Sequence, residues 1–193
     1  MHISITGKLG SGKSTICNLM KDTYGFEIFS TGAIQREVAR EKGVTTLELN
    51  EMMKVDHSLD DIIDTTTTKL SLERADDKLI FDSRMAWHFA ANTFKIFLTV
   101  DPTVAAQRVM AGQRGSEECY ACVEEARDGL IKRSLVEQER FKTLYGVDYY
   151  DYNNYNLVVD SSYRTPEEIL DIIWTCYQAY CADPAANAHK EIL

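Results

Sequence analysis

Several things this 193-residue sequence lacks narrow its reading before any motif is considered. It has no apolar run approaching bilayer-spanning length, so nothing in it reads as a membrane segment. It has no excess of basic residues: 21 Lys and Arg stand against 30 Asp and Glu, a formal net charge of −9. Binding a phosphate backbone needs a broad basic face, so a nucleic acid polymer is not the expected partner. Any anionic ligand must instead be met by a local cluster of Arg and Lys. It has no cysteine framework either. Cys17, Cys119, Cys122, Cys176 and Cys181 are odd in number and scattered. The pair in Cys119-Tyr120-Ala121-Cys122 has no further ligands spaced to complete a zinc site, and reads as two small residues on a helical stretch. No secretory leader precedes the first strand, and the last residues match no lipidation signal; with free cysteines, the expectation is a reducing cytoplasm. There is no internal repeat and no linker. The expected organisation is one domain over residues 1–181 and a flexible tail over 182–193.

What is present begins with Gly7-Lys8-Leu9-Gly10-Ser11-Gly12-Lys13-Ser14, which fills every position of the phosphate-loop pattern. His2–Thr6 before it reads as a short strand. Ser14–Asp22 after it reads as a helix with Ile16, Leu19 and Met20 on one face. Glycines let the backbone curl so that its N–H groups converge, and the helix N-terminus adds partial positive charge. Lys13 can then reach the β- and γ-phosphates of a nucleoside triphosphate, and the Ser14 hydroxyl can hold Mg²⁺. A Gly-rich turn with no ligand is the bland alternative, and the strand–loop–helix setting argues against it.

Downstream, strand and helix signals alternate. Phe26–Phe29, Lys78–Phe81, Lys95–Val100 and Asn156–Asp160 read as strands. Thr31–Lys42, a capping box at Thr45–Glu48 leading to about Lys54, and Ser58–Ala75 read as helices. In the last of these Leu59, Ile62, Ile63, Thr66 and Leu70 mark the expected buried stripe. Asp101-Pro102 opens a helix to about Met110, Ser116–Tyr145 is mostly helical, and Thr165–Glu168 is a second capping box opening a C-terminal helix. The fold class expected is α/β: about five parallel strands, buried on both faces, with helices on each side. Residues 32–75 hold no strand and read as a helical flap over that sheet.

Ligands of such sheets bind at the carboxyl ends of the strands. Those ends carry the phosphate loop, then Ser30-Thr31-Gly32 with Arg36 one turn on, then Asp82-Ser83-Arg84, then Asp101, Arg108 and Arg114. The long helix adds Arg133, Glu137 and Arg140, which share one face. Converging arginines suit phosphoryl transfer, whose catalysis is mostly positioning and charge neutralisation. Asp82, ending an apolar strand beside the loop, is expected to organise the Mg²⁺ shell. Plainer readings stand beside these. Arg36 can be a solvated helix charge, Asp82 a turn residue, and Arg133–Glu137–Arg140 a surface ion-pair ladder.

On these residues the sequence resembles the nucleoside monophosphate kinases, most of all the cytidylate kinase group in its short archaeal-type branch. The resemblance covers roughly residues 1–175. It rests on Gly7–Thr15, on Ser30-Thr31-Gly32 with Arg36, on Asp82-Ser83-Arg84, and on Arg133, Glu137 and Arg140 followed by Arg140-Phe141-Lys142-Thr143-Leu144-Tyr145-Gly146-Val147-Asp148. It implies a phosphate-loop kinase fold with a short lid over about residues 111–126. ATP would sit on Gly7, Lys8, Gly10, Ser11, Gly12, Lys13, Ser14 and Thr15, with Mg²⁺ at Ser14 and Asp82. A nucleoside monophosphate, CMP or dCMP, would be held by Ser30, Gly32, Arg36, Arg84 and Glu137. Lys13, Arg84, Arg133 and Arg140 would stabilise the transferring phosphoryl group, with Arg114 a lid arginine. A kinase of another small acceptor, a non-catalytic nucleotide-binding module and a plain hydrolase remain open. The sequence leaves the oligomeric state open too.

Overall fold

The computed structural model describes residues 1–112 and 120–193. Its centre is a parallel sheet of six strands in the order β2-β3-β1-β4-β5-β6. The strands are β1 (His2–Gly7), β2 (Glu27–Ser30), β3 (Leu79–Asp82), β4 (Thr93–Thr99), β5 (Leu157–Asp160) and β6 (Lys190–Ile192). The sixth was not expected. Lys190–Ile192, read from sequence as part of a frayed tail, returns to pair in parallel with Leu157–Val159. Its residues are exposed or half-buried, so backbone pairing at the sheet edge, rather than a hydrophobic pattern, makes it a strand.

The helices are α1 (Lys13–Tyr24), α2 (Thr31–Lys42), α3 (Thr46–Met52), α4 (Ser58–Glu73), α5 (Ala86–Phe89), α6 (Pro102–Ala111), α7 (Val123–Tyr145) and α8 (Pro166–Ala182). They cover both faces of the sheet, and the strands divide their side chains between them by alternation. Ile96, Leu98, Leu157 and Val159 face a core filled from α1 and α8 by Ile16, Met20, Ile169 and Ile173. Phe97 and Val158, the intervening residues, face the opposite core with Phe141, Tyr149 and Tyr155. Both capping boxes form as expected, at Thr45–Glu48 and Thr165–Glu168. The tyrosines near the end of α7 therefore pack the sheet.

Some local expectations are corrected. Among the described residues α7 begins at Val123, with Cys122 as its N-cap accepting from Glu125 N at 3.5 Å. Cys122 is thus not within a helix, and Cys119 lies outside the described residues. In α4 the buried residues are Asp60, Ile63, Thr67 and Ser71, whereas Ile62 is 63% exposed. The stripe is rotated because this helix buries polar side chains that have partners on α7 and its own backbone. No helix among the described residues is long and apolar enough to cross a membrane.

Register aligns the functional ends of the strands. Ile5 on β1 pairs with Asp82 on β3, and Asp82 pairs in turn with Ser30 on β2. The phosphate loop leaving β1 therefore stands beside Asp82 and beside the turn that starts α2. Helices α2, α3 and α4, all between β2 and β3 in the chain, form the flap.

Candidate active site

The loop's backbone is set by its glycines. Gly7 has φ +157° and lies against β4, where a Cβ would come within 2.4 Å of Leu98 O. Gly10 has φ +77°, and a Cβ there would meet Ala105 at 2.8 Å. Both positions thus require glycine. Lys8 N donates to Leu98 O at 2.9 Å, fixing the loop on the sheet. Ser11 is 1% exposed and its hydroxyl has no hydrogen-bond partner among the described residues. A buried hydroxyl is costly to leave unpaired, and this one borders the cavity above the loop. The cradle therefore fits a phosphate group. Ser14, exposed at the start of α1, and Asp82 line the same cavity and offer the oxygen ligands Mg²⁺ takes.

That cavity is bounded on one side by Gly10–Ser14 and on the other by the flap. Arg36 on α2, Arg84 after β3 and Arg133 on α7 all reach it. Glu137, 2% exposed, ties two of them together: Arg84 Nε donates to Oε2 at 2.9 Å and Arg133 Nε to Oε1 at 3.0 Å. A carboxylate holding two guanidinium groups fixes their planes at the cavity wall. Burial by itself pushes the Glu137 carboxyl up, but the charges of Arg84 and Arg133 prevail and hold it at about 2. Burial likewise works to lower Arg84, and Glu137 reverses this and raises it. Lys13 is lowered to about 7, first by burial and then by the Arg84 charge, with Asp82 and Glu137 opposing. Four cationic side chains, Lys13, Arg36, Arg84 and Arg133, thus line one cavity together with the carboxylates Asp60, Asp64, Asp82 and Glu137.

The depressed Glu137 carboxyl has a consequence for stability. Its folded value lies below the ordinary 4.5, so its contribution is complete above about pH 4.5 and is lost as pH falls toward 2. Urea titrations at pH 4.5 and pH 3 are expected to show a smaller acid-induced loss in Glu137→Gln than in the wild type. Equal losses would contradict the pairing.

Other sequence-identified residues sit differently. Ser30 Oγ donates to Asp82 Oδ2 at 3.1 Å and accepts from Ala33 N at 3.4 Å, so it caps α2 and anchors Asp82 rather than lining the cavity. Gly32 lies at the cavity wall beneath Arg36. Thr15 borders a second cavity behind the loop, with Arg108 on α6 and Arg164 and Pro166 at the start of α8. Arg108 Nη2 donates to Ser161 O and Arg164 Nη1 to Asp160 O, each at 2.6 Å, which shapes this cavity from the β5 end. Arg164 was missed in the sequence, its only signal being its place just past a strand end.

Arg140 does not join the other arginines. It is 2% exposed and runs to the flap, with Nη2 donating to Asn50 Oδ1 at 3.0 Å and Nη1 to Asp60 Oδ2 at 2.5 Å. Gln35, Ile63, Asp64 and Phe141 also line the cavity; Gln35 and Asp64 were not singled out from sequence, and Ile63 was expected only in a buried stripe. Arg114 and most of the expected lid lie outside the described residues.

The sequence pattern of the cytidylate kinase-like family matches residues 2–163. The chain belongs to the cytidylate kinase-like family. A relative from Methanosarcina barkeri named cytidylate kinase is 30% identical over 90% of this chain and 94% of its own. A relative from Lacinutrix mariniflava named S-adenosylmethionine-dependent nucleotide dehydratase is 32% identical over 97% of this chain, which spans only 38% of that protein's length. Among solved structures, shikimate kinase from Bacteroides thetaiotaomicron superposes with a TM-score of 0.58 at 14% identity, covering 92% of this chain and 98% of its own. That likeness concerns the fold alone. Membership of the family supports a nucleotide kinase activity.

Proposed function

We propose that this chain transfers the γ-phosphoryl group of ATP to a nucleoside monophosphate, CMP or dCMP, giving the diphosphate and ADP. The observation that carries the reading is the single cavity bounded by the phosphate loop on one side and by Arg36, Arg84 and Arg133 on the other. A site for a triphosphate alone has no use for a second set of arginines facing the loop.

On this reading Gly7–Thr15 hold the donor phosphates through backbone N–H groups, and Lys13 contacts the β/γ oxygens. Mg²⁺ at Ser14, with Asp82 behind it, would neutralise charge on those phosphates. Arg36 and Arg84 bind the acceptor phosphate, and Arg84 and Arg133, aligned by Glu137, face the group in transit. An oxygen of the acceptor phosphate attacks the γ-phosphorus as the bond to the β–γ bridging oxygen breaks. The electron pair leaves on ADP. No side-chain base is needed, because the acceptor phosphate is already an anionic nucleophile. Closure of the flap excludes water, without which the site would hydrolyse ATP.

Coupled turnover with ATP and Mg²⁺ across a monophosphate panel tests this. CMP and dCMP are expected to give the highest kcat/KM. No turnover with CMP, dCMP or UMP would point to another small acceptor, and phosphate release without any acceptor to a hydrolase. One observation favours a variant reading: the stretch shared with the relative named a nucleotide dehydratase covers nearly all of this chain. In such a protein the kinase-like part would supply a phosphorylated nucleotide to the dehydratase part. The same panel applies, with the product's consumer as the only difference.

A further inference from the structure

Two carboxylates stand one turn apart on α4, Asp60 and Asp64, and α7 meets both. Both border the same cavity, but Asp60 takes Arg140, a full positive charge, and is 4% exposed. Asp64 is bound differently. Its Oδ2 accepts from the hydroxyl of Tyr145, a neutral partner at the end of α7, and the residue borders the cavity that holds Arg36 and Arg84. Tyr145 is itself fixed by the rings of Phe141, stacked at 6.1 Å, and Phe89, edge-on at 5.1 Å. Asp64 is therefore an oriented carboxyl on the α4 side of the cavity, with no ion-pair partner among the described residues.

The same cavity is also lined by Ile63, Met85 and Phe141, apolar surfaces suited to the faces of a flat ring, and by Gln35. Resting on the monophosphate kinase reading above, a substrate whose phosphate lies on Arg36 and Arg84 must send its base to this part of the cavity. We infer that Asp64 is the residue that reads the acceptor base, accepting a hydrogen bond from the exocyclic amino group of cytosine. An ionised carboxylate only accepts hydrogen bonds. It matches the 4-amino group of cytosine and opposes the 4-oxo group of uracil, which would leave two acceptors facing each other. Burial raises Asp64 to about 6, which reflects the dry surroundings in which such a mismatch is most costly.

Calorimetric titration of the full chain with CMP and with UMP, followed by turnover of each with ATP, tests the assignment. Wild type is expected to bind CMP at least about tenfold more tightly than UMP. Asp64→Asn can turn its amide N–H toward a 4-oxo group, so the CMP:UMP ratio is expected to collapse by about tenfold or more in both Kd and kcat/KM. Asp64→Ser, which removes the carboxylate with less bulk, is expected to collapse it as well and serves if the first variant is poorly folded. Tyr145→Phe keeps the carboxylate and is expected to keep the preference for CMP. A wild-type ratio in the Asp64 variants, or a wild type that does not distinguish CMP from UMP, would overturn the inference while leaving the kinase reading intact. A wild type that phosphorylates no monophosphate would overturn both.

Discussion

Replacing Lys13 with alanine is expected to lower kcat/KM for phosphoryl transfer by about a thousandfold or more while leaving the fold in place. The amine is the one cation contributed by the phosphate loop's side chains to the cavity. Single preorganised groups that meet developing charge in a water-poor site contribute on this scale. The fold should not suffer. Lys13 is carried in surroundings that lower its pKa to about 7, through burial and the charge of Arg84. A base whose folded pKa lies below its unfolded value disfavours the folded state while protonated. Alanine removes that cost, so thermal unfolding is expected at the wild-type temperature or above it. Coupled turnover and a thermal melt on the same preparation decide the matter. Turnover within tenfold of wild type would remove the loop from its role as donor site.

The second large effect concerns stability. Arg140→Ala is expected to destabilise the chain by about 3–5 kcal/mol, measured by urea unfolding at neutral pH. The guanidinium is buried between Asp60 on α4 and Asn50 on α3, which are 4% and 0% exposed. Removing it leaves a buried carboxylate and a buried amide oxygen without that partner, which costs more than the pair contributes when whole. The Asp60 carboxyl is already raised by burial, against the pull of Arg140, so losing Arg140 raises it further. Arg140→Met combined with Asp60→Asn, which removes both charges and restores volume, is expected to recover much of the loss. If Arg140→Ala instead keeps wild-type stability and loses only turnover, Arg140 belongs with the groups that meet the transferring phosphoryl.

The two cases also mark where sequence reading succeeds. Lys13 was legible because its role is local: strand, glycine turns and helix start lie within about a dozen residues, and backbone geometry dictates what the loop can hold. The capping boxes at Thr45 and Thr165 were legible for the same reason. Helix α5 (Ala86–Phe89) was not, since a single turn carries no periodicity. Strand β6 was not, because Lys190-Glu191-Ile192 has no pattern until β5 lies beside it.

Arg140 shows the limit most clearly. Seven residues past Arg133 returns to the same side of a helix, so the pattern grouped them correctly by face. Seven residues also advance about 10 Å along the axis. One turn and more beyond Arg133, the Arg140 side chain meets Asn50 and Asp60, far away in the chain. Asp64 reaches the cavity by the same kind of long-range packing. The sequence by itself determined the phosphate loop, the alternation that builds a doubly covered parallel sheet, and the chemistry of the strand ends, because each depends on backbone conformation or side-chain periodicity over short spans. Which arginines line one cavity, and which carboxylates of α4 border it, only the tertiary structure decided. Those depend on where α4 and α7 meet, and buried charged groups there must find hydrogen-bonding partners that lie far away in the chain.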